Sequence, residues 1–375
     1  MLVAVPKETV AGERRVALVP EVVKRLGGHG IEVLIESGAG AGALIPDSLY
    51  EAAGAQVGSA AKVWTSPLVV KVAPPTKAEI KKLKAGSVLI GFLAPLTNAE
   101  STKGLAAAKV TAFAMESIPR ISRAQAMDAL SSQSNVAGYR AALLGAEDMG
   151  RFFPMLTTAA GTIPPAKVLV LGVGVAGLQA LATARRLGAQ TTGYDVRPEV
   201  EEQVRSLGAS WLDLGIEASG EGGYARELTD AEKAEQQQAL TDAIKTFDVV
   251  ITTALVPGRP APKMVTTEAV KGMKPGSVII DMAGEAGGNC ELTKPGETTV
   301  THDITIASPL NLPASMPEHA SQLYARNIQA LLELMLDDGG ELKLDFDDEI
   351  IAGSCITRDG EIVNASAKAL AGGGN

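Results

Sequence analysis

The stretch Lys167–Ala189, K-V-L-V-L-G-V-G-V-A-G-L-Q-A-L-A-T-A-R-R-L-G-A, constrains this chain more than any other. An apolar run reads as a buried strand. The pattern G-x-G-x-x-G follows at Gly172, Gly174 and Gly177, and Leu178, Leu181 and Leu187 then mark a helix. A second strand, Q-T-T-G-Y-D, ends in Asp195, 18 residues beyond Gly177. In a chain with 40 glycines the hexapeptide alone says little. Its setting between strand, helix and second strand makes it a dinucleotide fingerprint.

Each part has a physical task. Gly172 permits the tight turn, Gly174 lets a pyrophosphate approach the main chain, and Gly177 lets helix and strand pack closely. Free N–H groups and the positive end of the helix face the phosphates, and Val175 is counted with the glycines as a cofactor-binding residue. Asp195 can accept hydrogen bonds from both hydroxyls of the adenine ribose and repels a 2′-phosphate, which favours NAD over NADP. Arg197, beside Val196, counts slightly the other way, since a nearby arginine can accommodate that phosphate. The loop Thr252–Gly258 lies at the carboxyl edge of the same sheet, where Ala254 and Leu255 can pack on the nucleotide. The plainer reading of that loop is an ordinary strand end.

The rest of the chain fits the same architecture. At 375 residues two domains are expected, from roughly 100–200 residues per domain. Aromatic residues make up only 3%, so the core must be Ala, Val, Leu and Ile, which suits helices packed closely on parallel strands. Strand-like runs at Leu2–Pro6, Ile31–Glu36, Leu68–Val72, Val88–Phe92 and Thr111–Met115 alternate with helix-like segments. A second such series runs through Val168–Leu171, Gln190–Tyr194, Val249–Thr253, Val278–Met282 and Thr299–Ala307. Ala124–Met149 reads as one long connecting helix, and Glu318–Leu336 as another. The tail carries a strand-like run at Ile350–Ala352 and is expected to return to the first domain. The expectation is an α/β fold: two Rossmann-like domains with parallel sheets flanking a cleft, joined by long helices. Their bounds are 1–127 plus 321–375, and 128–320.

Charge and special residues narrow the function. The net charge of −9, without a dense Lys/Arg cluster, argues against nucleic acid or an anionic lipid surface as partner. The only cysteines, Cys290 and Cys355, form no paired motif, so neither a disulfide framework nor a metal site is expected. The start, M-L-V-A-V-P-K-E, lacks the basic and apolar regions of a signal peptide. The longest apolar stretch is the strand–turn–helix of the fingerprint, so no direct membrane insertion is expected.

With these residues in view, the chain resembles the NAD(H)-binding component (domain I) of proton-translocating nicotinamide nucleotide transhydrogenases. The resemblance runs through P-K-E-T-V-A-G-E-R-R-V-A-L-V-P at Pro6–Pro20, V-V-K-V-A-P-P at Val69–Pro75, M-E-S-I-P-R-I-S-R-A-Q-A-M-D-A-L-S-S-Q-S-N at Met115–Asn135, and G-G-Y-A-R-E-L at Gly222–Leu228. It implies that Arg120, Gln125, Asp128 and Ser131 sit at the nicotinamide end of the cofactor. Their donors and acceptors suit a carboxamide. Taken alone, they read as solvated residues at a helix start. It also implies that the segment holding Gly223 and Tyr224 is a mobile loop that closes over nucleotide. The resemblance further implies a homodimer and a second domain that alone binds NADP(H). Proton-conducting membrane subunits would hold the chain on the cytoplasmic face of a bacterial membrane. Whether the chain is a separate subunit or belongs to a longer one stays open.

Alanine dehydrogenase, which reduces a keto acid with NADH, is the related alternative. That chemistry requires an Arg, a Lys and a histidine proton donor. Arg15 and Lys71 stand at the matching positions, but the stretch I-G-F-L-A-P places Leu93 where the imidazole belongs. A non-catalytic NAD-sensing module is a third reading.

Overall fold

The computed structural model describes residues 1–215, 229–256, 258–337 and 339–372. The chain divides into two compact units, Met1–Gln133 with Pro313–Asn375, and Ser134–Leu312.

Among the described residues, the first unit is built on an eight-stranded sheet. Its spatial order is Glu361–Ile362, Cys355–Arg358, Thr111–Ala114, Val88–Gly91, Leu68–Val70, Leu2–Val5, Glu32–Glu36 and Gln56–Gly58. The six strands from the N-terminal part are parallel. The two tail strands add antiparallel at one edge, Cys355 opposite Phe113. The parallel strands are buried on both faces, as L-V-V at Leu68–Val70 and V-L-I-G at Val88–Gly91 require. One face packs on helices Pro20–Gly28 and Pro317–Leu334, bringing Val22, Leu26, Tyr324, Ile328 and Leu332 into one core. The Tyr324 hydroxyl donates to Lys71 O at 2.8 Å, satisfying a buried phenol.

Among the described residues, the second unit holds a seven-stranded sheet in the order Ser210–Trp211, Gln190–Tyr194, Lys167–Leu171, Val249–Thr252, Val278–Asp281, Ile304–Ala307 and Thr298–Thr301. All pairs are parallel except the last. Strand order reverses between Lys167–Leu171 and Val249–Thr252, and the carboxyl ends of strands at such a reversal are where open α/β sheets bind ligands.

The two large sheets are mainly parallel, as expected of this α/β fold, with antiparallel pairs only at an edge of each among the described residues. The structure corrects several sequence expectations. The run Thr299–Ala307 is a hairpin whose turn residues, His302 and Asp303, take φ of 55° and 61°. Ile350–Ala352 lies in the helix Glu349–Ser354, and the tail strand begins at Cys355. The segment 124–149 is not one helix. A 3-10 helix, Ser122–Met127, is followed by non-helical Asp128 (ψ 83°) and then the helix Ala129–Asp148. Asp128 breaks the helix because its carboxylate caps the next one. The two compact units meet at 133/134 and 312/313. Ser132 and Gln133 hydrogen-bond Asn327 and Ala320 O, which ties both segments to the first unit.

Candidate functional site

The glycine turn is built as its spacing requires. Gly172 has φ 88°, a conformation open to glycine. Its N–H donates to Tyr194 O at 2.8 Å, and its carbonyl accepts from Thr253 Oγ1 at 2.7 Å. A Cβ on Gly177 would lie 2.0 Å from Gly172 O, so any side chain there would force the helix off the strand. A Cβ on Gly174 would meet nothing within 4 Å among the described residues. Gly174 is also the N-cap of helix Val175–Arg186, and among the described residues no side chain caps that terminus. An uncapped helix start behind an open glycine fits a pyrophosphate.

Asp195 closes the next strand beside this cradle. Its Oδ2 accepts the Val173 N–H at 2.9 Å, and its Oδ1 accepts the Arg197 N–H at 3.0 Å. The Arg197 guanidinium also pairs with both oxygens, each at 3.0 Å. Burial alone would raise the Asp195 pKa. The Arg197 side chain and the two N–H groups outweigh it and hold the carboxyl below its ordinary value. Asp195 is therefore an anionic acceptor, and the Arg197 guanidinium is engaged with it. Val175, Val196 and Leu255 are 41%, 73% and 56% exposed. Val175 opens the helix after one strand, and Val196 and Leu255 lie on the loops after its two neighbours, where apolar groups can cover a flat base.

The loop with Ala254 and Leu255 is fixed from below by Asn289, a residue that the motif spacing does not mark. This fully buried amide accepts the Ala254 N–H at 3.1 Å and donates to Ala254 O and Pro262 O, each at 2.8 Å. The available signal is an amide in G-G-N-C just after a buried strand, a place where a polar group needs partners.

In the first unit, Arg120 and Gln125 are exposed, and Asp128 and Ser131 are half-buried. Asp128 Oδ1 accepts the Ser131 N–H at 2.9 Å, and Oδ2 accepts the Ser131 hydroxyl at 2.6 Å. These two form the cap of the following helix. Gly223 and Tyr224 lie outside the described residues.

The first sheet also reverses strand order, between Leu2–Val5 and Leu68–Val70, but the chain just beyond those strands carries ion pairs rather than a glycine turn. Lys71 is fully buried, with Nζ 3.0 Å from Glu8 Oε2, 3.9 Å from Glu79 Oε2 and 2.6 Å from Ala73 O. Arg15, 7% exposed, pairs through Nε and Nη2 with Glu13 at 2.8 and 2.6 Å. Leu93 is wholly buried, and its N–H donates to Glu116 Oε1 at 2.9 Å.

Both units match known proteins. Residues 4–137 match the model of the alanine dehydrogenase/PNT N-terminal domain, and residues 141–365 that of its C-terminal domain. The chain belongs to the alanine dehydrogenase/PNT family. Among relatives in this family, it is 49% identical over 376 residues to the first part of NAD(P) transhydrogenase subunit alpha from Rhodospirillum rubrum, covering 97% of this chain and 98% of that one. It is 33% identical over 380 residues to alanine dehydrogenase of Mycolicibacterium smegmatis, covering 99% and 97%. The crystal structure of transhydrogenase from Sinorhizobium meliloti superposes with a TM-score of 0.88 at 44% identity, covering 97% of this chain and all (100%) of that one.

Proposed function

We propose that this alanine dehydrogenase/PNT family member is the NAD(H)-binding component of a proton-translocating NAD(P) transhydrogenase. In this reading NADH bound here gives hydride directly to NADP+ on a partner domain, leaving NAD+ and NADPH. Gly172, Gly174 and Gly177 seat the pyrophosphate, and Asp195 accepts from the adenine ribose. Arg120, Gln125, Asp128 and Ser131 orient the nicotinamide, which matters because transfer between two rings depends on placement. The chain works as a homodimer. Proton-conducting membrane subunits hold it on the cytoplasmic face; among the described residues no helix of its own is long and apolar enough to cross a membrane.

The observation that carries this choice is Leu93. Reduction of a keto acid requires a proton donor beside the forming amine or alcohol. Position 93 offers a buried isobutyl group, and Arg15 and Lys71 already pair with internal carboxylates. The higher identity to the transhydrogenase subunit than to the alanine dehydrogenase supports the same choice.

The test mixes the purified chain and NADH with an NADP-binding transhydrogenase domain and NADP+, and separately with pyruvate and ammonia. NADPH should form in the first mixture. Oxidation of NADH in the second would overturn the proposal.

A further inference from the structure

We propose that Asn327 is a positioning residue for the Arg120–Ser131 segment, acting through a buried polar chain anchored on the Glu13–Arg15 pair. The proposal rests on the reading of that segment as the nicotinamide-orienting one.

The segment needs outside support. A 3-10 helix has poorer hydrogen-bond geometry than an α-helix, and Asp128 interrupts it before Ala129–Asp148 begins. Asn327, on helix Pro317–Leu334 and 7% exposed, joins the two sides of that break. Its Nδ2 donates to Ala126 O at 2.8 Å, and its Oδ1 accepts from Ser132 Oγ at 2.7 Å. Ala126 directly follows Gln125, and Ser132 directly follows Ser131. One carboxamide thus sets the distance between the main chain at Gln125 and the helix start that Asp128 caps.

The chain of bonds continues inward. Ser132 Oγ accepts from Gln133 Nε2 at 3.3 Å, and the same nitrogen donates to Ala320 O at 3.0 Å. Gln133 Oε1 accepts from Arg15 Nη1 at 2.8 Å. Donor and acceptor alternate without conflict from Arg15 to Ala126, so each amide has one consistent orientation. Arg15 is itself held by Glu13 through a bidentate pair of contacts from Nε and Nη2. A cation at a position matching a keto-acid arginine is used here to brace a loop.

The test compares Asn327→Ala and Ser132→Ala with the parent chain by amide hydrogen exchange and by single-turnover hydride transfer to the NADP-binding domain. Exchange over 122–132 should quicken by about tenfold or more in Asn327→Ala, because removing one partner leaves the other bond groups unsatisfied. Hydride transfer should slow by about tenfold to a hundredfold, the penalty of misplacing reacting groups by about 1 Å. The dissociation constant for NADH should stay within about threefold, since the pyrophosphate cradle is untouched. Ser132→Ala should show the same pattern at smaller amplitude. In Asn327→Ala/Gln125→Asn, the second change should add less than about threefold to the first, because both act through one segment. Unchanged exchange over 122–132 in both single variants would overturn the proposal. So would hydride transfer at the parent rate, or slowing fully explained by weaker NADH binding. If the parent chain transfers no hydride while exchange over 122–132 quickens, the bracing stands and the transhydrogenase reading fails.

Discussion

The Arg197 guanidinium grips Asp195 through both carboxylate oxygens, Nε to Oδ1 and Nη2 to Oδ2, each at 3.0 Å. The pair keeps the aspartate ionised, which the proposed ribose contact requires. Asp195→Ala should raise the NADH dissociation constant by about tenfold or more, the worth of losing hydrogen bonds to a charged acceptor. Titration calorimetry checks this, and an unchanged constant would sink the nucleotide assignment. The pH dependence has a definite sign. The folded carboxyl titrates below its ordinary 3.8, so its stabilising contribution is full above 3.8 and is lost as pH falls through the lower folded value.

Gly174 and Gly177 should respond differently to the same substitution. A Cβ at Gly177 lies 2.0 Å from Gly172 O, so Gly177→Ala should cost about 1–3 kcal/mol or more of stability by overpacking. A Cβ at Gly174 meets nothing within 4 Å among the described residues, so Gly174→Ala should leave the melting temperature nearly unchanged and weaken NADH binding. Thermal melts alongside binding curves separate the two effects. Equal melting losses in both variants would contradict the account of the turn.

Glu116 fastens the turn that follows the Val88–Gly91 strand. Its carboxylate accepts the Leu93 N–H at 2.9 Å and the Ala94 N–H at 2.6 Å, and Ala94 takes φ 52°. Burial pushes the Glu116 pKa above its ordinary 4.5, and the main-chain N–H groups offset this only in part. A carboxyl raised in the folded state costs stability once ionised, so its share of stability grows as pH falls through the folded value toward 4.5. Glu116→Gln should therefore be neutral or slightly stabilising at pH ~7, while Glu116→Ala should lose about 1–3 kcal/mol by orphaning two donors. Denaturant midpoints at neutral pH decide this.

Lys71 stands between Glu8 and Glu79 with none of its side chain exposed. Lys71→Ala should destabilise the chain by about 3–5 kcal/mol, because uncompensated carboxylates stay buried. Where a variant remains folded at low temperature, its NADH binding should match the parent. A Lys71 variant with full stability would show that the cluster is not held as described.

Gln125→Asn shortens an exposed side chain on the proposed nicotinamide segment. Hydride transfer to the partner should slow while NADH affinity stays within about tenfold, since most contacts fall at the adenosine and phosphate end. Stopped-flow rates set against equilibrium binding test it. A proportionate fall in both would place Gln125 at the wrong end of the nucleotide.

The geometry of the glycine turn is legible in one dimension because its requirements are local. A strand, three glycines at fixed spacing, a helix and an acidic strand end all lie within about 30 residues, and main-chain sterics at each glycine do not depend on distant partners. The alternation of apolar runs and helices likewise reveals two α/β units, because strands buried on both faces must be apolar throughout. Mixed strand direction is not legible, since Cys355–Arg358 and Thr298–Thr301 look alike whichever way a neighbour runs. The pairing of Asn289 with Ala254, of Asn327 with Ala126 and Ser132, and of Arg15 with Gln133 is equally hidden. An isolated polar residue on an apolar helix or after a strand announces that it needs a partner, but not which one. Only folding, by bringing positions 15, 126, 132, 133 and 327 within hydrogen-bond reach, makes that selection.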